Sequence, residues 1–155
     1  MKGKRGPHRR RSLKKKRFRI LWLGKTRLPF VQEGIQYYQK KLNHFAEIEI
    51  MEIKGRGDNL TKEIMTKAIS LKPYILLDAG GRSFSSEAFA EFLDRQVQWN
   101  FILGGAYGVP VQIKDDAEML MSLSAMTMPH ELVRLVFLEQ LYRAMTIINK
   151  TGYHH

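Results

Sequence analysis

The chain contains no cysteine among its 155 residues, which excludes a disulfide framework, a thiolate nucleophile and a Cys-ligated zinc site. It has no apolar run near the ~20 residues a helix needs to cross a bilayer, and no secretory h-region; a cytoplasmic protein is expected. GxGxxG and GxxxxGK(S/T) are both missing, so neither a nicotinamide dinucleotide nor a nucleoside triphosphate is signalled. His8, His44 and His130 show no metal-binding spacing, and no metal is expected. Acidic residues are absent from one place in particular. Residues 1–19 hold eleven of the 26 Lys and Arg and no Asp or Glu, which leaves fifteen of each sign in the rest of a chain of net charge +11.

The charge therefore belongs to an N-terminal arm, MKGKRGPHRRRSLKKKRFR, joined to a balanced domain. Such an arm repels itself, is expected to be flexible when free, and suits a polyanion. Phosphate contacts of this kind give affinity and salt dependence, not sequence choice. A transit peptide is the competing reading of an Arg-rich, acid-free stretch. Its single serine and poor amphipathicity count against that, and contact with RNA is favoured.

What is present is a 44% apolar fraction, enough for one folded domain over 18–155 behind an arm at 1–17. FRILWLG (Phe18 to Gly24) reads as a short strand closed by glycine. Leu28 to Phe45 has helical spacing, with Phe30, Val31, Ile35, Tyr38 and Leu42 on one face. Glu47 to Ile53 alternates like a strand wet on one side. KGRGDNL follows as a turn with Asp58 or Asn59 as N-cap, then TKEIMTKAISL as a short helix. PYILLDAGG (Pro73 to Gly81) suits a buried parallel strand. SEAFAEFLDRQVQ, capped by Ser85 or Ser86, is an amphipathic helix. FILGG repeats the strand-then-glycine pattern, VQIKDDAEM is a short helix and MSLS a brief strand. Pro129 takes the first position of a helix to Asn149 that buries Leu132, Val133, Val136, Phe137, Leu141, Met145 and Ile148. The alternation predicts an α/β fold: a mainly parallel sheet with helices on both faces.

Parallel sheets bind ligands beyond the C-terminal ends of their strands. LDAGGR and LGGAYG stand at two such ends, where glycine lets backbone N–H groups approach a ligand. Taken singly, each reads more readily as an ordinary strand-to-helix turn. Ser122 to His130 either wraps an adenine ring, with methionine against a sulfur-bearing ligand, or forms a buried edge leading into the helix. Glu139 and Arg143 lie at i,i+4, and the residues leave open a simple exposed pair or a role with Arg134 toward an anion or a second subunit. Tyr153 and His154 are either a loose tail or a stacking ring and a proton acceptor.

LGGAYG, SLSAMTMPHELVR, LEQLYRAMTI and the terminal YHH together resemble the RlmH family, SPOUT-class methyltransferases acting on N3 of a pseudouridine in helix 69 of large-subunit (23S) ribosomal RNA. The resemblance runs from about Phe18 to His155. It implies S-adenosylmethionine as methyl donor, a homodimer, the assembled ribosome as substrate, and a deep C-terminal trefoil knot, which general topology rules disfavour. It places cofactor contacts on Leu77, Gly104, Leu123, Ser124, Ala125, Met126, Thr127 and Met128. It places the RNA-facing or catalytic set on Arg134, Glu139, Arg143, Tyr153 and His154. Of these, His154 is the candidate base, with Tyr153 stacking on or orienting the target, Glu139 the weaker alternative base, and Arg134 and Arg143 holding phosphate or an imide anion. Three departures stand out: Ala106 follows the GG pair where the family has Pro or Ser, the stretch from Ile53 to Pro73 is short, and the arm is additional. The rival readings are a SPOUT methyltransferase acting on another rRNA or tRNA site, and a non-catalytic RNA-binding or ribosome-associated protein, which the arm alone supports.

Overall fold

Five strands form one parallel sheet, in the order β2-β1-β4-β3-β5, in a computed structural model that describes residues 15–55 and 57–154. The elements alternate along the chain: β1 (Lys16–Leu23), α1 (Pro29–Leu42), β2 (Ala46–Ile53), α2 (Gly57–Ser70), β3 (Ile75–Ser83), α3 (Ser86–Leu93), β4 (Gln98–Leu103), α4 (Val111–Asp116), β5 (Met119–Ser122) and α5 (His130–Ile148). The expected parallel α/β fold is the one observed.

Residues 20–23 of β1 and 101–103 of β4 are continuously apolar because both faces of those strands are covered there. Phe18, Ile20, Trp22, Trp99, Phe101 and Leu103 pack into a core with α1, α3 and α5. Leu21, Leu23 and Ile102 point the other way, into a second core with Ile64 and Ala68 of α2 and Ile113 of α4. β2 is an edge strand. Its exposed Glu47 and Glu49 place charge where an unpaired edge would otherwise invite another strand.

Several boundaries differ from the sequence reading. β1 begins at Lys16, two residues inside the stretch read as arm: Lys16 is buried, and its Nζ donates to the Gln96 carbonyl at 2.8 Å. The rest of the arm, residues 1–14, lies outside the described residues. α2 starts at Gly57, so Asp58 and Asn59 sit inside its first turn and do not cap it. α3 ends at Leu93, where the carbonyl accepts Trp99 Nε1 at 2.9 Å, and Gln98 already belongs to β4. Phe30 is 58% exposed and does not join the inner face of α1.

Helix α5 departs most from a one-stripe pattern. It packs against both α1 and α3, so its buried set includes Glu131, Arg134, Leu138, Ala144 and Thr146 beside Phe137, Leu141 and Met145. Leu132, Val133, Val136 and Ile148 are only half-buried. Pro129 is the N-cap of this helix, one position before its first turn.

Candidate active site

Strand β3 interrupts its ladder after Leu77, next to the end of β4, and the glycines inside that interruption and after β4 shape what lies above. Beyond Leu77 the pairing of β3 with β5 skips: Leu77 and Arg82 both face Met121, and the residues between them form an outward bulge. A Cβ on Gly81 would lie 2.5 Å from the Leu120 carbonyl carbon, so only glycine returns the bulge to β5. After β4, Gly105 and Gly108 exchange two backbone hydrogen bonds of 3.2 and 3.0 Å, and Gly108 takes φ +79°. Gly105 rests on the end of β1, where a Cβ would meet the Leu23 carbonyl oxygen at 2.6 Å. Ala106 sits exposed at the tip of this turn.

A third loop closes the space from the side. Ser122 Oγ donates to the Ser124 carbonyl at 2.9 Å, and Ser124 Oγ accepts the Met126 N–H at 3.0 Å, fixing the backbone between β5 and α5. The cavity between the loops measures about 200 Å³. Leu77, Gly104, Leu123, Ser124, Met126, Thr127 and Met128 line it; Ala125 does not. Asp78, His130 and Val133 add to the wall. Asp78 is held in place, its Oδ2 accepting the Gly80 N–H at 2.9 Å and its Oδ1 3.8 Å from Lys114 Nζ.

The tail after α5 docks back onto that helix. Arg143 Nε and Nη2 donate to Glu139 Oε2 at 3.2 and 2.8 Å, and Tyr153 OH donates to the same oxygen at 3.1 Å. Glu139 Oε1 accepts from Gln140 Nε2 at 2.9 Å. His154 is clasped from both sides, Nδ1 at 2.9 Å from Arg143 Nη1 and Nε2 at 2.8 Å from Glu87 Oε2. A guanidinium can only donate, so Nδ1 is the acceptor and the ring proton sits on Nε2, facing Glu87. Burial, followed by hydrogen bonds with Tyr38 and Glu139, pushes the Tyr153 phenol well above its ordinary range. Tyr153 is therefore a donor at neutral pH. The hydrogen bonds to Glu139 raise the already basic Arg143 further.

Arg134 behaves differently from the group holding phosphate or an imide anion that the resemblance implied. It is fully buried, with Nη1 donating to Thr26 Oγ1 at 2.6 Å and Nη2 to the Leu23 carbonyl at 2.8 Å. Its guanidinium lies over the Trp22 ring at 5.1 Å and 3.9 Å from Glu52. In that position it cannot reach a phosphate; it ties α5 to the end of β1.

The family described as "Predicted SPOUT methyltransferase" matches residues 16–154. Relatives carrying the name ribosomal RNA large subunit methyltransferase H include one from Thermodesulfovibrio yellowstonii, 44% identical over 144 residues that span 90% of this chain and 99% of that one. Another, from Deinococcus radiodurans, is 33% identical over 89% of this chain and 98% of that one. The chain belongs to the ribosomal RNA large subunit methyltransferase H family of SPOUT methyltransferases. A solved probable methylase family protein from Haemophilus influenzae Rd KW20 shares the fold alone, with TM-score 0.58, 8% identity, and cover of 89% of this chain and 70% of that one.

For a SPOUT methyltransferase of this kind, the sequence reading did not assign Asp78, His130, Val133 or Glu87 to the site, nor Ala79 and Leu103 of the cavity wall. Asp78 was visible as the acid closing the LDAGG run, but its direction into the cavity depends on the bulge of β3. His130 and Val133 line the cavity because α5 begins beside the loop. Glu87 meets His154 across 67 positions of chain, and no local signal announces that pairing.

Proposed function

We propose that this chain transfers a methyl group from S-adenosylmethionine to N3 of a pseudouridine in helix 69 of large-subunit ribosomal RNA, acting in the cytoplasm as a homodimer on the assembled ribosome. The observation that carries this reading is the cavity over the ends of β3 and β4. Seven of the eight residues expected to touch the cofactor line it. The residues fit such a group: glycine backbone at Gly104 and Gly105 leaves room for close approach, and leucine and methionine side chains suit an adenine ring and a soft sulfur centre. When bound, S-adenosylmethionine supplies a methyl group made electrophilic by its sulfonium.

The chain's own part is to position the target and take up the imide proton of N3. Positioning can supply ~7–11 kcal/mol, and a general base about 10²–10⁴-fold. Glu139 has both oxygens occupied by Arg143, Tyr153 and Gln140, which makes it a poor base and a good anchor. His154 keeps one basic nitrogen, Nδ1, covered by Arg143. Release from Arg143 frees that nitrogen to accept the imide proton while Glu87 holds the opposite N–H, the orientation a carboxylate gives a catalytic imidazole. Arg143, released in turn, faces the developing imide anion. Phe30 and Tyr37, 58% and 55% exposed along one stripe of α1, support a second copy packing there. The knot is part of the same proposal, supported by β5 returning to the outer edge of β3 and α5 crossing back over α1 and α3.

The test is methyl transfer from labelled S-adenosylmethionine to ribosomes lacking this modification, with the labelled nucleotide mapped. Label on N3 of the helix 69 pseudouridine is expected. Label elsewhere changes the target within the family, and absence of cofactor binding turns the reading toward a non-catalytic RNA-binding protein. His154→Ala is expected to slow the single-turnover step and alter its pH profile; full activity at every pH would remove His154 as the base.

A further inference from the structure

Beside the cofactor cavity lies a second one, about 170 Å³ in volume, and Leu123 forms a wall of both. It is bounded by Phe84 and Phe89, whose rings lie 6.1 Å apart, by Val136, and by the polar pair Ser86 and Gln140. Arg82 places its guanidinium over Phe84 at 4.5 Å, a cation beside the ring that bounds this cavity. Room for one planar ring, walls shared between apolar side chains and the serines Ser85, Ser86 and Ser122, one amide and a nearby cation describe a site for a single nucleobase with its phosphate outside.

The amide is oriented. Gln140 Nε2 donates to Glu139 Oε1 at 2.9 Å, and Gln140 Oε1 accepts from Ser86 Oγ at 2.8 Å. A carboxylate only accepts, so the nitrogen must face Glu139 and the amide cannot be reversed. Among the described residues each end keeps one unused valence: a second N–H on Nε2 and a second lone pair on Oε1. Together these form an acceptor–donor edge matching a ring that offers N–H beside C=O.

We infer that this second cavity receives the target base and that Gln140, pinned by Ser86 and Glu139, reads the N1–H and C2=O edge that distinguishes pseudouridine from uridine. The inference rests on the methyltransferase reading above. In pseudouridine the N1–H is free because the ribose is attached at C5; uridine presents a C–H at that place and loses one of the two hydrogen bonds. Binding through N1 and C2 leaves N3, one atom further round the ring, free to face the neighbouring cofactor cavity. Gln140 is thus a specificity residue, distinct from the group that takes the proton.

The experiment compares single-turnover methylation of ribosomes carrying pseudouridine or uridine at the target, for the full-length protein and two variants. The unaltered protein is expected to prefer pseudouridine at least about tenfold, the size of one hydrogen bond left unmade in a fitted site. Gln140→Leu is expected to lower the pseudouridine rate by about tenfold or more and the uridine rate less than about threefold, with cofactor affinity by calorimetry unchanged. Ser86→Ala, which keeps the amide but releases it, should give a smaller loss confined to pseudouridine. Equal losses on both ribosomes, no loss in either variant, or no preference in the unaltered protein would overturn the assignment. N3 methylation with unchanged discrimination removes only the role of Gln140. Methylation at N3 of neither ribosome removes the methyltransferase reading along with it.

Discussion

Arg134 joins separate parts of the architecture, because it sits where the end of β1 and the segment leading into α1 meet α5. The Leu23 carbonyl, the Thr26 hydroxyl and Glu52 all turn toward it, while its Nε finds no hydrogen-bond partner among the described residues. Burial alone would make this guanidinium less basic, and the charges of Glu52 and Glu131 oppose that effect. Removing one member of such a buried cluster leaves the others unpaired. Arg134→Leu is expected to cost about 3 kcal/mol, or roughly 6–12 °C in Tm for a chain of this size. Arg134→Lys, which keeps the charge but not the fork, is expected to fall between. Thermal unfolding of the three proteins decides the point, and an unshifted Tm for the leucine variant would refute it. Glu52 and Glu131 give the same cluster a pH dependence. Burial pulls both carboxyls up, but hydrogen bonds from Trp22 and Thr26 to Glu52, and from the Leu28 and Arg27 N–H groups to Glu131, together with Arg134, hold both below their ordinary 4.5. A carboxyl depressed in the folded state stabilises fully above its unfolded value and loses that contribution as pH falls through its folded one. Stability is therefore expected to drop below about pH 4.5, and less steeply in Glu52→Gln. Parallel pH curves for the two proteins would contradict the assignment.

Among the elements, the turn after β4 makes the most testable demand. A Cβ at Gly105 would stand 2.6 Å from the Leu23 carbonyl oxygen, which is backbone and cannot swing aside, whereas a Cβ at Gly108 meets nothing within 4 Å. Gly105→Ala is expected to cost about 1–3 kcal/mol through forced backbone shift and to weaken S-adenosylmethionine binding at least tenfold by displacing Gly104. Gly108→Ala, whose only penalty is its positive φ, is expected to cost about 1–2 kcal/mol with much less effect on affinity. Calorimetric titration of both variants separates the two effects, and equal affinity losses would mean that the contact with β1 is irrelevant. Much of this element-level structure was readable in the sequence. The apolar runs at residues 20–23 of β1 and 101–103 of β4 follow from sheet faces covered on both sides, and the glycines in the bulge of β3 and after β4 mark where the backbone must come close. α5 was less readable. A single 3.6-residue stripe describes a helix buried on one side, whereas α5 lies against both α1 and α3, so Arg134 and Glu131 are buried among apolar neighbours and Val133 and Val136 turn toward cavities. Phe30 misled for the converse reason, since it follows the helical period yet has no neighbour in this chain to bury it.

At the scale of the whole molecule, sheet order was hidden because it depends on pairings far apart in sequence: Arg17 stands beside Glu47 on one side and Gln98 on the other. Charge distribution, by contrast, was plain from the start, and it sets the last expectation. Residues 20–155 hold fifteen charges of each sign, so the whole net charge of +11 lies in residues 1–19, and most of it precedes β1. Since β1 begins at Lys16, the segment that can be removed without cutting the sheet is 1–14, which carries seven Lys and Arg. Each phosphate contact releases counterions and adds about 0.7–0.9 to the slope of log affinity against log salt. Deleting 1–14 is therefore expected to make ribosome binding weaker at low salt and its salt slope shallower by several units, while Tm and S-adenosylmethionine affinity stay unchanged. Binding measured from low to moderate salt for the full and shortened chains tests this. A slope that stays the same would place the phosphate contacts on the folded domain, on groups such as Arg82 and Lys41, and leave the basic segment without a part in RNA binding.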